Sequence, residues 1–351
     1  MVRGVAAILF SLLLLFSTSS ALSPTGQVLK NVHWIMEQVQ RIRGLDFKER
    51  PKVIVITRED ALLLFAPTRV TEEIRLREEL YKMTLLLPPD VELFRKERDR
   101  KAGWIAATVG DRIYVIRENF LSSGSIALRA TAHELVHVLQ REWFDAKYVG
   151  NTLDETLALR ALVEGDADIV ADIFCRENGL EIVKITNISR DNSYWSLNVF
   201  PYVFGDRFVA FLYERGGWAL VNSAYDRPPI STKVVMFPAL YLEGWEPENV
   251  TLEVRGRVLL RERLGAYYVF LLAWRVENWG KAMELARTWM GDEAVLYEKE
   301  GRHALVWKVL FSSEKRAREF ASVLKELAEG KDYARFSIRV EGSYAILEAE
   351  K

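Results

Sequence analysis

A chain of 351 residues with one cysteine, Cys175, cannot close a disulfide on itself, so its stability must come from packing and from any bound metal. With no cysteine near the N-terminus, a lipid-modified cysteine anchor is excluded. The chain also lacks a surplus of basic charge. Its 48 Lys and Arg face 49 acidic residues, which leaves nothing to hold a nucleic acid through counterion release. The apolar run from Val5 to Phe16 falls short of the roughly 20 residues that cross a bilayer as a helix. It follows Arg3 and precedes Ser17-Thr-Ser-Ser-Ala21, the layout of a cleaved signal peptide. Residues 1–21 are therefore expected to be removed, leaving a secreted or cell-surface protein with no stable membrane span. Internal repeats and low-complexity linkers are missing as well.

What remains is rich in apolar residues, at 50% of the chain, enough for one large domain or two ordinary ones. Val28, Val32, Ile35, Met36, Val39 and Ile42 fall at helical spacing, and Gly44 stops that first helix. Val53 to Thr57 reads as a buried strand, followed by a charged helix from about Arg69 to Leu86. Trp104 to Thr108 and Arg112 to Ile116 alternate about Val109-Gly-Asp111 and predict a hairpin. Helices are expected from Ile126 to Trp143, Leu153 to Glu177, Tyr202 to Glu214 and Trp218 to Tyr225, with a rigid loop at Arg227-Pro-Pro-Ile-Ser-Thr232. From about Leu252 the pattern changes to a strand, two helices reaching Met290 and strands at Ala294 to Tyr297 and Ala304 to Phe311. A helix from Ser313 to Glu329 and a hairpin turning at Glu341-Gly342 complete it. The expected architecture is α+β: a mainly helical domain with a small sheet over residues 22–250, then a smaller α+β domain over 251–351.

Four histidines are few, yet two of them fall in Ala132-His-Glu-Leu-Val-His137. On a helix, positions four apart lie one above the other, so both imidazoles can reach one ion. Glu134 stands beside the same groove, where its carboxylate can take a proton from a metal-bound water. Random order produces this pattern in roughly one such chain in several hundred. A structural zinc site is disfavoured because such sites fill four protein positions and prefer thiolates.

A catalytic zinc needs a third protein ligand, and no further histidine occurs between His137 and His303. Glu164 and Asp168 share a face of the following helix. Glu164 is expected to bind zinc, and Asp168 to accept a hydrogen bond from the far nitrogen of a liganding histidine. Glu155 is the rival ligand, two to three turns away on the same helix. Asp166 and Asp172 read as a solvated helix face. His33 and His303 lack ligand spacing, and Asn187-Ile-Ser and Asn249-Val-Thr match the glycosylation acceptor pattern.

H-E-x-x-H followed after a loop by E-x-x-x-D resembles the gluzincin metallopeptidases, the thermolysin-like group. More narrowly, His133 to Gln140, Glu164-Gly-Asp-Ala167, Phe200-Pro-Tyr202 with Gly205 and Phe208, Pro228 to Thr232 with Pro238, and Gly291-Asp292 resemble a set of exported bacterial and archaeal zincins. The resemblance implies a zincin-type catalytic domain and an exported zinc metallopeptidase acting on a peptide or protein. In it a zinc-bound water attacks with Glu134 as general base. The alternative is a catalytically weak binding protein that keeps the scaffold at the cell surface. The chain departs from the thermolysin pattern in having no histidine between residues 138 and 302 to stabilise the oxyanion. Tyr202 is the first candidate for that role and Tyr225 the second, although either aromatic could serve packing alone. The strand at Arg112 to Ile116 is expected to align an extended peptide by edge pairing.

Overall fold

The computed structural model describes residues 24–65, 69–102, 105–110 and 112–351. The expected signal segment, Trp104 and Asp111 lie outside the described residues. Thirteen helices and eight strands occur among the described residues, and the fold is α+β.

The first helix, α1 (Pro24–Arg43), buries Val28, Val32, Ile35, Met36 and Val39, the stripe that its spacing sets. Strand β1 (Lys52–Ile56) leads into α2 (Arg58–Phe65), α3 (Glu72–Met83) and α4 (Leu93–Ala102) before the hairpin of β2 (Ala106–Val109) and β3 (Arg112–Ile116). β1 pairs with β3 in parallel, so the sheet order is β1-β3-β2. This corrects the expectation that Arg112 to Ile116 offers an edge: both sides of β3 are occupied. The edge strands are β1 and β2, and no strand among the described residues pairs with the outer side of β2.

Helix α5 (Arg117–Ser122) turns the chain into α6 (Ser125–Phe144), and α7 (Leu153–Glu177) follows, capped by the Thr152 side chain on the Glu155 N–H. α7 is buried on nearly every side. Ala167, Val170, Ala171 and Phe174 join a core with α1, α6 and the small sheet, while Leu157, Ala158, Ala161 and Leu162 join a second, larger core. Helix α8 (Ser193–Asp226) begins nine residues before the expected start at Tyr202, and its two segments meet at Gly217, where φ is 58° and the backbone is not helical, between the helices expected up to Glu214 and from Trp218. α8 crosses α7 closely. A Cβ on Gly165 would lie 2.2 Å from the Gly205 carbonyl oxygen, and one on Gly205 would lie 2.2 Å from that of Ala161. Glycine at both positions lets the helices touch backbone to backbone.

Short helices α9 (Thr232–Met236) and α10 (Pro238–Leu242) precede β4 (Arg257–Glu262), α11 (Ala266–Val276), α12 (Trp279–Thr288), β5 (Trp289–Lys299), β6 (Arg302–Phe311), α13 (Glu314–Ala328), β7 (Arg335–Glu341) and β8 (Tyr344–Glu350). The last five strands form an antiparallel sheet ordered β4-β5-β6-β8-β7. The larger core runs across residue 250: Phe200, Phe204 and Phe208 share it with Tyr267, Phe270, Trp289 and Trp307. Two buried carboxylates fasten the same junction. Asp154 accepts from the Thr232 N–H (2.8 Å) and from Arg263 Nε (3.0 Å). Asp292 accepts from the Leu264 and Gly265 N–H groups and from the indoles of Trp289 and Trp307. Among the described residues no helix is long and apolar enough to cross a membrane.

Candidate metal centre

On α6, His133 and His137 stand one turn apart, each 8% exposed, with ring centroids 4.8 Å apart and planes nearly perpendicular. Opposite them, α7 presents Glu164. Its Oε2 lies 3.0 Å from His133 Nε2 and 3.6 Å from His137 Nε2. Ligand atoms about 2.05 Å from a tetrahedral zinc are separated by about 3.3 Å, so these distances bracket the edge of such a site. A second trio, His133, Glu134 and His137, has its ligand atoms within 4.8 Å of one another. The hydrogen bond of Glu164 to His133 and its 3.6 Å approach to His137 favour it as the third ligand, and Glu134 lines the cavity beside them. The donor set of two imidazoles and a carboxylate therefore fits zinc. Glu155 is engaged elsewhere, accepting from the Asn151 N–H at 2.8 Å.

The far nitrogens are held as well. His133 Nδ1 donates to Asp168 Oδ1 (3.1 Å), which also accepts from Arg129 Nη2 (2.7 Å). His137 Nδ1 donates to Gln140 Oε1 (2.8 Å), and Gln140 in turn donates to the Val163 carbonyl and to Asp166 Oδ2. Both tautomers are thereby set with Nε2 toward the cluster. Burial opposes charge on His133, yet hydrogen bonds and attraction from Asp168 and Glu164 lift its pKa to about 10 in the metal-free chain. Burial also pushes Glu164 upward, and hydrogen bonds from His133 and His137 overcome that and hold it far below the usual carboxylate range.

Asp166 and Asp172 correct the solvated-face expectation. Asp166 is fully buried: it accepts from Arg43 Nε (2.9 Å), Gln140 Nε2 (3.1 Å) and the Tyr225 hydroxyl (2.7 Å). Asp172, 7% exposed, accepts from Arg129 Nε at 3.0 Å and from Lys184 Nζ at 2.5 Å. The same geometry removes Tyr225 from the oxyanion role, since its hydroxyl is committed to Asp166 and its ring stacks on Phe144 at 4.4 Å.

A cavity of about 710 Å³ opens over the cluster, lined by His133, Glu134, His137 and Glu164 and by the whole of β2. β2 is tied to α6 where Thr108 Oγ1 donates to the Glu134 carbonyl (2.8 Å). Tyr202 lines the cavity with its ring 6.2 Å from that of His133. Tyr148, missed from sequence, lines it too, with its ring 5.9 Å from His137. Arg160 Nε holds the Tyr148 carbonyl at 3.0 Å, and no hydrogen bond to the Tyr148 hydroxyl is found among the described residues. Burial, then the charges of Glu164, Glu134 and Asp166, keep that phenol's pKa well above the ordinary range. Nothing in the sequence around Tyr148 marks it, because it sits in an irregular loop whose path is set by Arg160 and Glu155. His33 is exposed on α1, and His303 donates to Glu79 at 2.6 Å, far along the chain from this centre.

Residues 253–349 match a family described as Domain of unknown function (DUF8575). The match lies outside the histidine cluster and covers the β4 to β8 region. No curated protein and no solved structure matches the chain.

Proposed function

We propose that this chain is a zinc-dependent metallopeptidase of the gluzincin kind, acting outside the cytoplasm on peptides or proteins. The reading is carried by the convergence of His133, His137 and Glu164 at the floor of a cleft that also presents Glu134 and an uncovered strand edge. Three protein donors with an open side are the ligand set of a hydrolytic zinc rather than a structural one. When bound, zinc supplies Lewis acidity toward a carbonyl oxygen and makes a coordinated water acidic near neutral pH.

The chain's own groups do the remainder. β2 pairs with an extended peptide through its exposed N–H and C=O groups and lays the scissile bond over the cluster. Glu134 takes the proton of the attacking water and returns it to the leaving nitrogen. The Tyr148 hydroxyl, protonated at any working pH, donates to the substrate oxygen as negative charge grows there, and Tyr202 flanks His133 on the cavity wall. Asp168 and Gln140 keep the two imidazoles oriented throughout.

The test is metal analysis of the purified chain together with peptide hydrolysis. One zinc per chain is expected, and Glu134→Gln should retain it while losing turnover. A chain that neither contains nor takes up zinc, or a Glu134→Gln protein that still cleaves, would overturn the reading.

A further inference from the structure

Of the three cations that line the cleft, two are paired with carboxylates. Arg129 is neutralised by Asp168 and Asp172. Lys184 is neutralised by Asp172 and Asp206. The third cation lining the cavity is Arg141, and its guanidinium has no ion pair or hydrogen bond among the described residues. Residues 129, 133, 137 and 141 advance along α6 in steps of four, so Arg141 shares the face of the histidines and stands about 6 Å beyond His137 along the axis. It is also exposed, so its charge is available to whatever enters.

We propose that Arg141 is a specificity-determining residue that binds a carboxylate of the substrate at the His137 end of the cleft. The inference rests on the peptidase reading and adds to it a substrate class: peptides carrying an anionic group on that side of the scissile bond. The guanidinium offers a planar fork that matches a carboxylate in two parallel hydrogen bonds. A neutral or cationic group at the same place would leave Arg141 without a partner or facing a like charge. The carboxylate comes either from an acidic side chain or from the C-terminus of a short peptide, and the two sources separate in the experiment.

The measurement is calorimetric binding of paired peptides to the zinc-loaded Glu134→Gln protein. One series replaces Gln by Glu at successive positions, and the other compares a C-terminal acid with its amide. One pair is expected to show about tenfold tighter binding of the anionic member, the worth of a hydrogen bond to a charged group. Arg141→Ala, with zinc content and melting temperature unchanged, should abolish that difference. Arg141→Lys should keep part of it, and Arg141→Glu should favour a Lys-containing peptide instead. Discrimination in the Glu series identifies a side-chain carboxylate, and discrimination in the acid and amide series identifies the C-terminus. The proposal is overturned if no pair discriminates or if the discrimination survives Arg141→Ala. Binding discrimination without cleavage of any peptide by the Glu134-intact protein would sink the peptidase reading and leave the anion site standing.

Discussion

Replacing Asp166 by alanine tests whether the network behind the histidines is structural support or surface decoration. Asp166 and Arg43 bury both side chains completely, with Nε to Oδ1 at 2.9 Å. Without the carboxylate, Arg43 keeps one hydrogen bond, to Asn222 Oδ1 at 2.7 Å, and the ring faces of Trp218 and Phe144 at 4.4 and 5.5 Å. Those contacts do not neutralise a buried guanidinium, and breaking such a pair costs about 3–5 kcal/mol. With a urea m-value of about 3 kcal/mol/M, the unfolding midpoint should fall by about 1–1.7 M. Urea titration followed by tryptophan fluorescence reads this directly. Removing both charges, as Arg43→Met with Asp166→Leu, should recover more than half of the loss, because no unpaired charge remains. A midpoint shift below about 0.3 M in Asp166→Ala, well under the buried-pair cost, would refute the argument, as would a double variant whose effects simply add. Asp166 also holds Gln140 against His137, so zinc affinity should fall about tenfold in the same variant.

Asp168→Ala should weaken zinc binding by about 10–100-fold, and Glu164→Ala should weaken it more, measured by competition with a chelator. The reverse order would make Asp168 the ligand. Tyr148→Phe should keep zinc and lower kcat by about 100-fold with little change in KM, as expected for a donor that acts in the transition state; an unchanged kcat would take the phenol out of the mechanism. For pH, the metal-free His133 titrates near 10 rather than 6.5, because Asp168 and Glu164 outweigh its burial. A folded pKa raised in this way stabilises the metal-free protein fully below pH 6.5, and that contribution is lost as pH rises through about 10. Zinc must displace this proton, so affinity should climb with pH by about tenfold per unit for each proton released, levelling off near pH 10. Calorimetry at pH 8 in two buffers of different ionisation enthalpy counts the protons, and zero release would contradict the assignment.

The alternation and turn residues of the chain determined its local elements well. α7 runs from Leu153 to Glu177 as the pattern requires, and the terminal hairpin turns at Gly342. The four-residue spacing of His133 with His137 and of Glu164 with Asp168 fixed which side chains share a face, since that follows from helix geometry alone. What lies opposite a face does not follow from it. Asp166 and Asp172 look like a polar stripe in sequence, and their burial depends on Arg43, Arg129 and Lys184 arriving from other elements. β3 carries the same alternation whether central or at an edge, and only the parallel pairing of β1 made it central and left β2 as the edge strand that lines the cleft. Tyr148 belongs to the cavity because Arg160 holds its carbonyl, and Tyr225 leaves it because Asp166 takes its hydroxyl. Periodicity is a property of neighbours along the chain, whereas burial and ion pairing join residues as far apart as 43 and 166, and tertiary packing alone brings those together.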